Sequence, residues 1–166
     1  MTEETSATPE QDFANGADTQ PQVGIISQYV KDFSFENPNA PNVYQWQGQP
    51  QIDVQFNIGS NKVADDVYEV VIKIDVKAVS ADRTAFQVEL AYAGLFGIRN
   101  VPEEQIQPFC YAEAPRLIFP FARRILADAV RDGGFPPLML EPIDFAGLYV
   151  QQAQAQLAQS QPAGEA

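Results

Sequence analysis

Apolar and polar residues alternate with a period of two through four stretches of the chain, and a helical period follows in two later ones. The cleanest stretch is QIDVQFNIGS: Ile52, Val54, Phe56 and Ile58 share one side and Asp53, Gln55 and Asn57 the other. That pattern predicts a strand with one dry and one wet face. In VYEVVIKIDVKAV, Val70, Ile72, Ile74 and Val76 read inward, with Glu69, Lys73, Asp75 and Lys77 outward. A short turn around Ala81-Asp82 leads to TAFQVELAYAG, where Phe86, Val88 and Leu90 oppose Gln87 and Glu89; so short a connection predicts antiparallel neighbours. The first stretch, IISQYVKDFSFENPNAP, sets Tyr29, Lys31, Phe33 and Phe35 against Val30, Asp32, Ser34 and Glu36, and stops at Asn37-Pro38.

Helical signals come after the strands. PEEQIQPFCYAEAP opens with Pro102 and carries Glu103 and Glu104 in its first turn, favourable to the helix dipole. Pro115 and Pro120 are expected to kink or restart the helix, which runs on through FARRILADAV to a stop at Gly133-Gly134. A last helix starts at Asp144, a good N-cap, with Phe145, Leu148 and Tyr149 on one face before the sequence dilutes into Gln and Ala. Between the two lies FPPLMLEP. Its prolines at 136, 137 and 142 lack the amide hydrogen that a sheet ladder needs, so Phe135, Leu138, Met139 and Leu140 cannot form an interior strand. This connector either packs as core or lines a groove. Strands followed by helices predict an α+β fold: a four-stranded sheet with two main helices on one face. We expect a disordered acidic tail over residues 1–22, one domain over 23–152 and a flexible tail over 153–166.

Composition narrows the functional classes. With 22 acidic residues against 10 basic ones, the chain carries a formal net charge of −12; nucleic acid and anionic lipid would be repelled, and a basic partner attracted. There is no histidine, the commonest general base and metal ligand near neutral pH. The pairs Asp65-Asp66 and Glu103-Glu104 are adjacent in sequence and so point in different directions; the first reads as a turn. Gly133-Gly134 lacks the lysine, serine or threonine of a phosphate-binding loop. The single cysteine, Cys110, excludes an internal disulfide and reads as a small buried apolar residue. No apolar run reaches the roughly 18 residues of a membrane span, and the N-terminus lacks the pattern of a secretory signal. A cytoplasmic protein with no cofactor, no metal and no catalytic centre is expected.

The segments SFENPNAPNVYQ, ADDVYEVVIKI, YAGLF and LIFPFARRILADAVRDGGFPPLMLEPIDFAGLYVQQ resemble the SecB family of protein-export chaperones, in matching order and over about residues 25–152. The resemblance implies a four-stranded antiparallel sheet with helices on one side, assembled as a homotetramer, a dimer of dimers. It implies an ATP-independent cytosolic chaperone that binds unfolded precursor proteins and delivers them to the SecA motor. For the client groove it points to Ile52, Val54 and Phe56, to Phe135, Leu138 and Leu140, and to Phe145, Leu148 and Tyr149; the same side chains also suit an ordinary core. For SecA docking it points to an acidic patch of Asp32, Glu36 and Glu89, with Gln87 standing where a familiar relative has leucine. Three other readings stand beside it. A small-molecule binding module would take one defined ligand with no preference for denatured protein. An acid-dependent hydrolase would need convergent carboxylates, and a purely structural oligomer would bind no client.

Overall fold

The computed structural model describes residues 19–160. Strands β1 (Gln22–Glu36), β2 (Gln51–Ala64), β3 (Val67–Ser80) and β4 (Arg83–Arg99) form one antiparallel sheet in the order β1-β4-β3-β2. Asp66 sits at φ 58° between β2 and β3, and Ala81 and Asp82 at 48° and 62° between β3 and β4. Two successive left-handed residues make the tight turn whose twist matches the strands it joins. The fourth strand outruns the expected TAFQVELAYAG; it continues to Arg99 and buries Phe96 and Ile98 as well.

A single helical run follows: α1 (Glu103–Pro108), a π-helical turn (Phe109–Glu113) and α2 (Ala114–Asp132). Pro115 explains the wide turn before it, since it has no N–H for the carbonyl four residues back and its ring crowds that carbonyl. The expected breaks at Pro115 and Pro120 are therefore absorbed within a continuous run. Ile118, Ala122, Leu126 and Val130, one turn apart, press α2 onto β3 and β4. Val70, Ile72, Ile74, Val76, Phe86, Val88 and Leu90 beneath it are each at most 2 % exposed. The inward sets read from the alternation of β3 and β4 are thus the core.

α3 (Phe145–Ser160) begins where Asp144 Oδ1 accepts the Gly147 N–H at 3.0 Å, the N-cap expected there. It stays helical past Gln152 to Ser160, so much of the segment expected as a flexible tail is helix. Residues 1–18 and 161–166, which carry the rest of the expected tails, lie outside the described residues.

The first strand departs from simple alternation. Tyr29 lies opposite Ala93 and Val30 opposite Tyr92, but Asp32, not Lys31, lies opposite Ala91. Lys31 is the extra residue of a β-bulge, which reverses the phase of everything after it. Tyr29 and Lys31 therefore share the face away from α2, while Phe33 and Phe35, opposite Leu90 and Val88, are turned to the helix side. The expected grouping of all four on one side is corrected by this one inserted residue. Glu69 also departs from expectation: it is on the outer face but is 9 % exposed rather than wet. The Tyr29 hydroxyl donates to its Oε2, and Lys31 Nζ donates to its Oε1 at 2.6 Å. Both side chains come from β1 and cross the intervening β4, where the small Ala91 and Ala93 leave room.

The Lys31 hydrogen bond, then that of Tyr29, holds the Glu69 carboxyl below its usual range. The hydrogen bond to Glu69 in turn pushes the Tyr29 hydroxyl up to about 12. A depressed carboxyl stabilises the fold above its unfolded value of about 4.3 and loses that stability as pH falls through the folded value. A raised phenol stabilises fully below about 10 and loses its contribution as pH climbs toward its folded value. Urea titrations should accordingly show stability from this cluster flat between about pH 5 and 9 and falling outside it, and Glu69→Gln should lessen both falls. Identical acid and alkaline limbs in the variant would show that the cluster has no such role.

Candidate functional site: an apolar rim and an acidic face

The connector from Phe135 to Asp144 contains no strand, as its prolines require. Leu138, Leu140 and Ile143 lean half-buried against the core, while Met139 points outward at 64 % exposure. Alternate side chains of the connector lean on the core, and Met139 on its crest is open. Arg123 of α2 fixes it by donating from Nη1 to the Leu140 carbonyl at 3.2 Å.

Its entry is clamped by the SFENPNAP segment. Asn37 Nδ2 donates to the Gly133 carbonyl at 3.0 Å and to Tyr44 Oη at 2.9 Å, and the Tyr44 hydroxyl donates to the same carbonyl at 2.7 Å. Asn39 Nδ2 donates to the Thr84 carbonyl at 2.7 Å. The end of α2, the turn after β1 and the start of β4 are so tied together. A Cβ on Gly133 would lie 2.3 Å from Phe35 Cζ, so any side chain there must displace that ring; Gly134 takes φ 88°.

Two concavities open on this side of the molecule, an apolar one beside the connector and a mixed polar and apolar one beside α3. One, of about 270 Å³, is lined by Val43, Tyr44, Trp46, Ala85 and Phe135. Phe135 fixes its floor, with ring centroids 4.8 Å from Phe86 and 5.6 Å from Tyr44. The Arg83 guanidinium lies over the Trp46 ring, 3.8 Å from its centroid. The other, of about 690 Å³, lies between Ile58, Tyr111 and the α3 residues Tyr149, Ala153 and Leu157. Tyr111 and Tyr149 stack at 6.0 Å, which seats α3 on the π-helical turn.

The sequence-derived groove residues therefore divide. Ile52 and Leu148 are exposed, at 43 % and 40 %. Val54, Phe56, Phe135, Leu138, Leu140 and Tyr149 are half-buried. Phe145, 3 % exposed and edge-on to Phe119 at 5.6 Å, is core. Phe56, Phe145, Leu148 and Tyr149 meet around one small cleft with Ile58 and Tyr111, whereas Phe135 belongs to the separate aromatic concavity. Sequence reasoning missed Tyr44, Trp46 and Tyr111. The signal available for the first two was an aromatic pair, NVYQW, set between strands without a strand period of its own.

The opposite face of the sheet is charged. Because of the bulge, Asp32, Ser34 and Glu36 lie opposite Ala91, Glu89 and Gln87, so Asp32, Glu36 and Glu89 share the outer surface and all three are exposed. Asp75 of β3 lies directly across from Glu89 on its other side, a like-charge opposition that a sheet disfavours. Gln87 Nε2 reaches Glu89 Oε1 at 3.5 Å. Among the described residues no group of three or more metal-ligating side chains converges on a metal site.

A family model described as preprotein translocase subunit SecB matches residues 16–156. The chain belongs to the SecB family. Among curated relatives, the protein-export protein SecB of Rhizorhabdus wittichii is 65% identical over 168 aligned residues, with all of both chains covered. That of Zymomonas mobilis is 64% identical over 157, covering 92% of this chain and 96% of the relative. Among solved structures, a SecB-like chaperone of Mycobacterium tuberculosis, in complex with a ChAD peptide from the HigA1 antitoxin, superposes with a TM-score of 0.61 at 17% identity. It covers 73% of this chain and 90% of that one, a likeness of fold. In this family member the SFENPNAP and GGFPP signatures sit at the clamp between β1, α2 and the connector.

Gly133→Ala should force the Phe35 ring from its stack on Phe86 and loosen the connector's entry. A loss of about 1–3 kcal/mol is expected from such overpacking, read as a lower urea midpoint at unchanged slope. An unchanged midpoint would mean that the ring yields freely.

Proposed function

We propose that this protein is an ATP-independent chaperone of protein export: it holds unfolded presecretory chains on the apolar rim and presents them to the SecA motor through the acidic outer face. The observation that carries the reading is the apolar surface left open along β2, the connector and α3, where Ile52, Met139 and Leu148 are all exposed. A ligand that recognises only unfolded chains must rely on such generic contact, because its clients share no sequence. Each large apolar side chain buried contributes about 1.5–3 kcal/mol, so several must be captured at once to offset the ordering of a flexible segment. The groove residues are Ile52, Val54, Phe56, Phe135, Leu138, Leu140, Leu148 and Tyr149, with Phe145 supporting them from the core. The peptide bound to the M. tuberculosis relative supports peptide capture as the mode of action.

The working form in this reading is a cytoplasmic homotetramer, a dimer of dimers, in which several rims act on one client through effective concentration. No described helix is long and apolar enough to cross a membrane. The protein works without enzymatic activity and without a bound cofactor: binding the unfolded chain but not the native one shifts the folding equilibrium by mass action.

A slow-folding precursor diluted from denaturant into a stoichiometric amount of the protein, without ATP, should aggregate and refold more slowly; no slowing would sink the proposal. Reversing Asp32, Glu36 and Glu89 together to lysine should weaken SecA binding by roughly tenfold or more at low salt while client capture persists. Equal loss of both activities would show that the patch is structural.

A further inference from the structure

Glu69 is buried beneath the acidic face and has no access of its own to a partner, being 9 % exposed. What it holds is a cation. Lys31 Nζ sits 2.6 Å from Glu69 Oε1 with 51% of its side chain exposed, and the Tyr29 hydroxyl occupies the other carboxylate oxygen. Lys31 is the inserted residue of the bulge, directly before Asp32, and a bulge sets two successive residues on the same face. Its ammonium therefore emerges on the outer surface near Asp32, the first of the acids proposed to dock a partner. A free cation within a Debye length of roughly 8 Å would cancel much of the field of its nearest carboxylate. The small Ala91 and Ala93 open the path by which Lys31 is instead drawn over β4 toward β3.

We propose that Glu69 is a positioning residue for the docking face: it draws the Lys31 ammonium toward β3 and neutralises it there, so that it spares Asp32, the acid of that face nearest to it, and does not add to Lys73 and Lys77, which lie across from Ala91 and Gln87 on the same face. This rests on the docking role proposed above. The Tyr29 hydroxyl and the Lys31 ammonium each occupy one oxygen of the Glu69 carboxylate, so the cation is paired with Glu69 on the β3 side of the face. Removing Lys31 as well as Glu69 should then restore docking, which a merely structural role for Glu69 would not produce.

The test is a double-mutant cycle on the full-length protein, with SecA affinity measured by titration calorimetry at low and at physiological salt. Glu69→Gln should weaken binding about two- to fivefold at low salt, the scale of an exposed charge pair. Adding Lys31→Met should return the affinity to within about twofold of the parent, as a cancelled charge effect requires. Client capture should be the same in every variant. If Glu69→Gln does not fold, Glu69→Asp keeps the buried charge but shortens its reach to Lys31, and the same weakening and rescue are expected. Unchanged binding in the single variant, or a double variant as weak as the single, overturns the inference. If the triple reversal of Asp32, Glu36 and Glu89 leaves SecA binding intact, the docking role itself fails and the inference with it; if that reversal weakens binding while the Glu69 cycle is flat, the inference alone fails.

Discussion

One long helix is too narrow to cover four strands. The outer strand axes of the sheet are about 14 Å apart, whereas a helix with its side chains is about 10–12 Å across. α2 lies over β3 and β4 and seals them almost completely. The inward faces of β1 and β2 are left half-covered, and much of the rest of the molecule is a response to that shortfall. The connector wedges Leu138, Leu140 and Ile143 into one side of it, and α3 reaches back to stack Tyr149 on Tyr111. Neither closes it, which is why Ile52 and Leu148 remain accessible although they belong to an apolar pattern.

The same economy separates the two proposed activities. A sheet has two faces, and strand alternation assigns each residue to one of them. Along β4, Phe86, Val88 and Leu90 build the core while Gln87 and Glu89 face the other way, so apolar capture and electrostatic docking stand back to back across a single backbone layer. Each can be altered without touching the other's side chains.

How much of this was legible in the sequence depended on how local the governing interaction was. β2, β3 and β4 follow the period-two rule along their central stretches, with register shifts only near Lys62/Ala64 and Ala78/Val79, and their faces were read correctly. The turns at Asp65-Asp66 and Ala81-Asp82, the Asp144 cap and the Gly133-Gly134 stop were equally local. The bulge at Lys31 was not, because an extra residue leaves no mark in composition and shifts the phase only through pairing with β4. Glu69 was placed on the right face but in the wrong environment, since the side chains that cover it arrive from two strands away. At the site, Glu89 was readable from alternation, whereas Asp32 and Glu36 reach the same face as Glu89 only through the bulge. The split of the groove residues between core and rim was not readable, because it depends on where α2 runs out of width.

The aromatic concavity beside the connector has a further property. Trp46 is the only tryptophan in the chain, and it stands in the wall of that concavity under the Arg83 guanidinium instead of deep in the core. The protein's indole emission is therefore a native optical probe of this one corner, reporting its polarity and the position of a single cation while the sheet behind it stays silent.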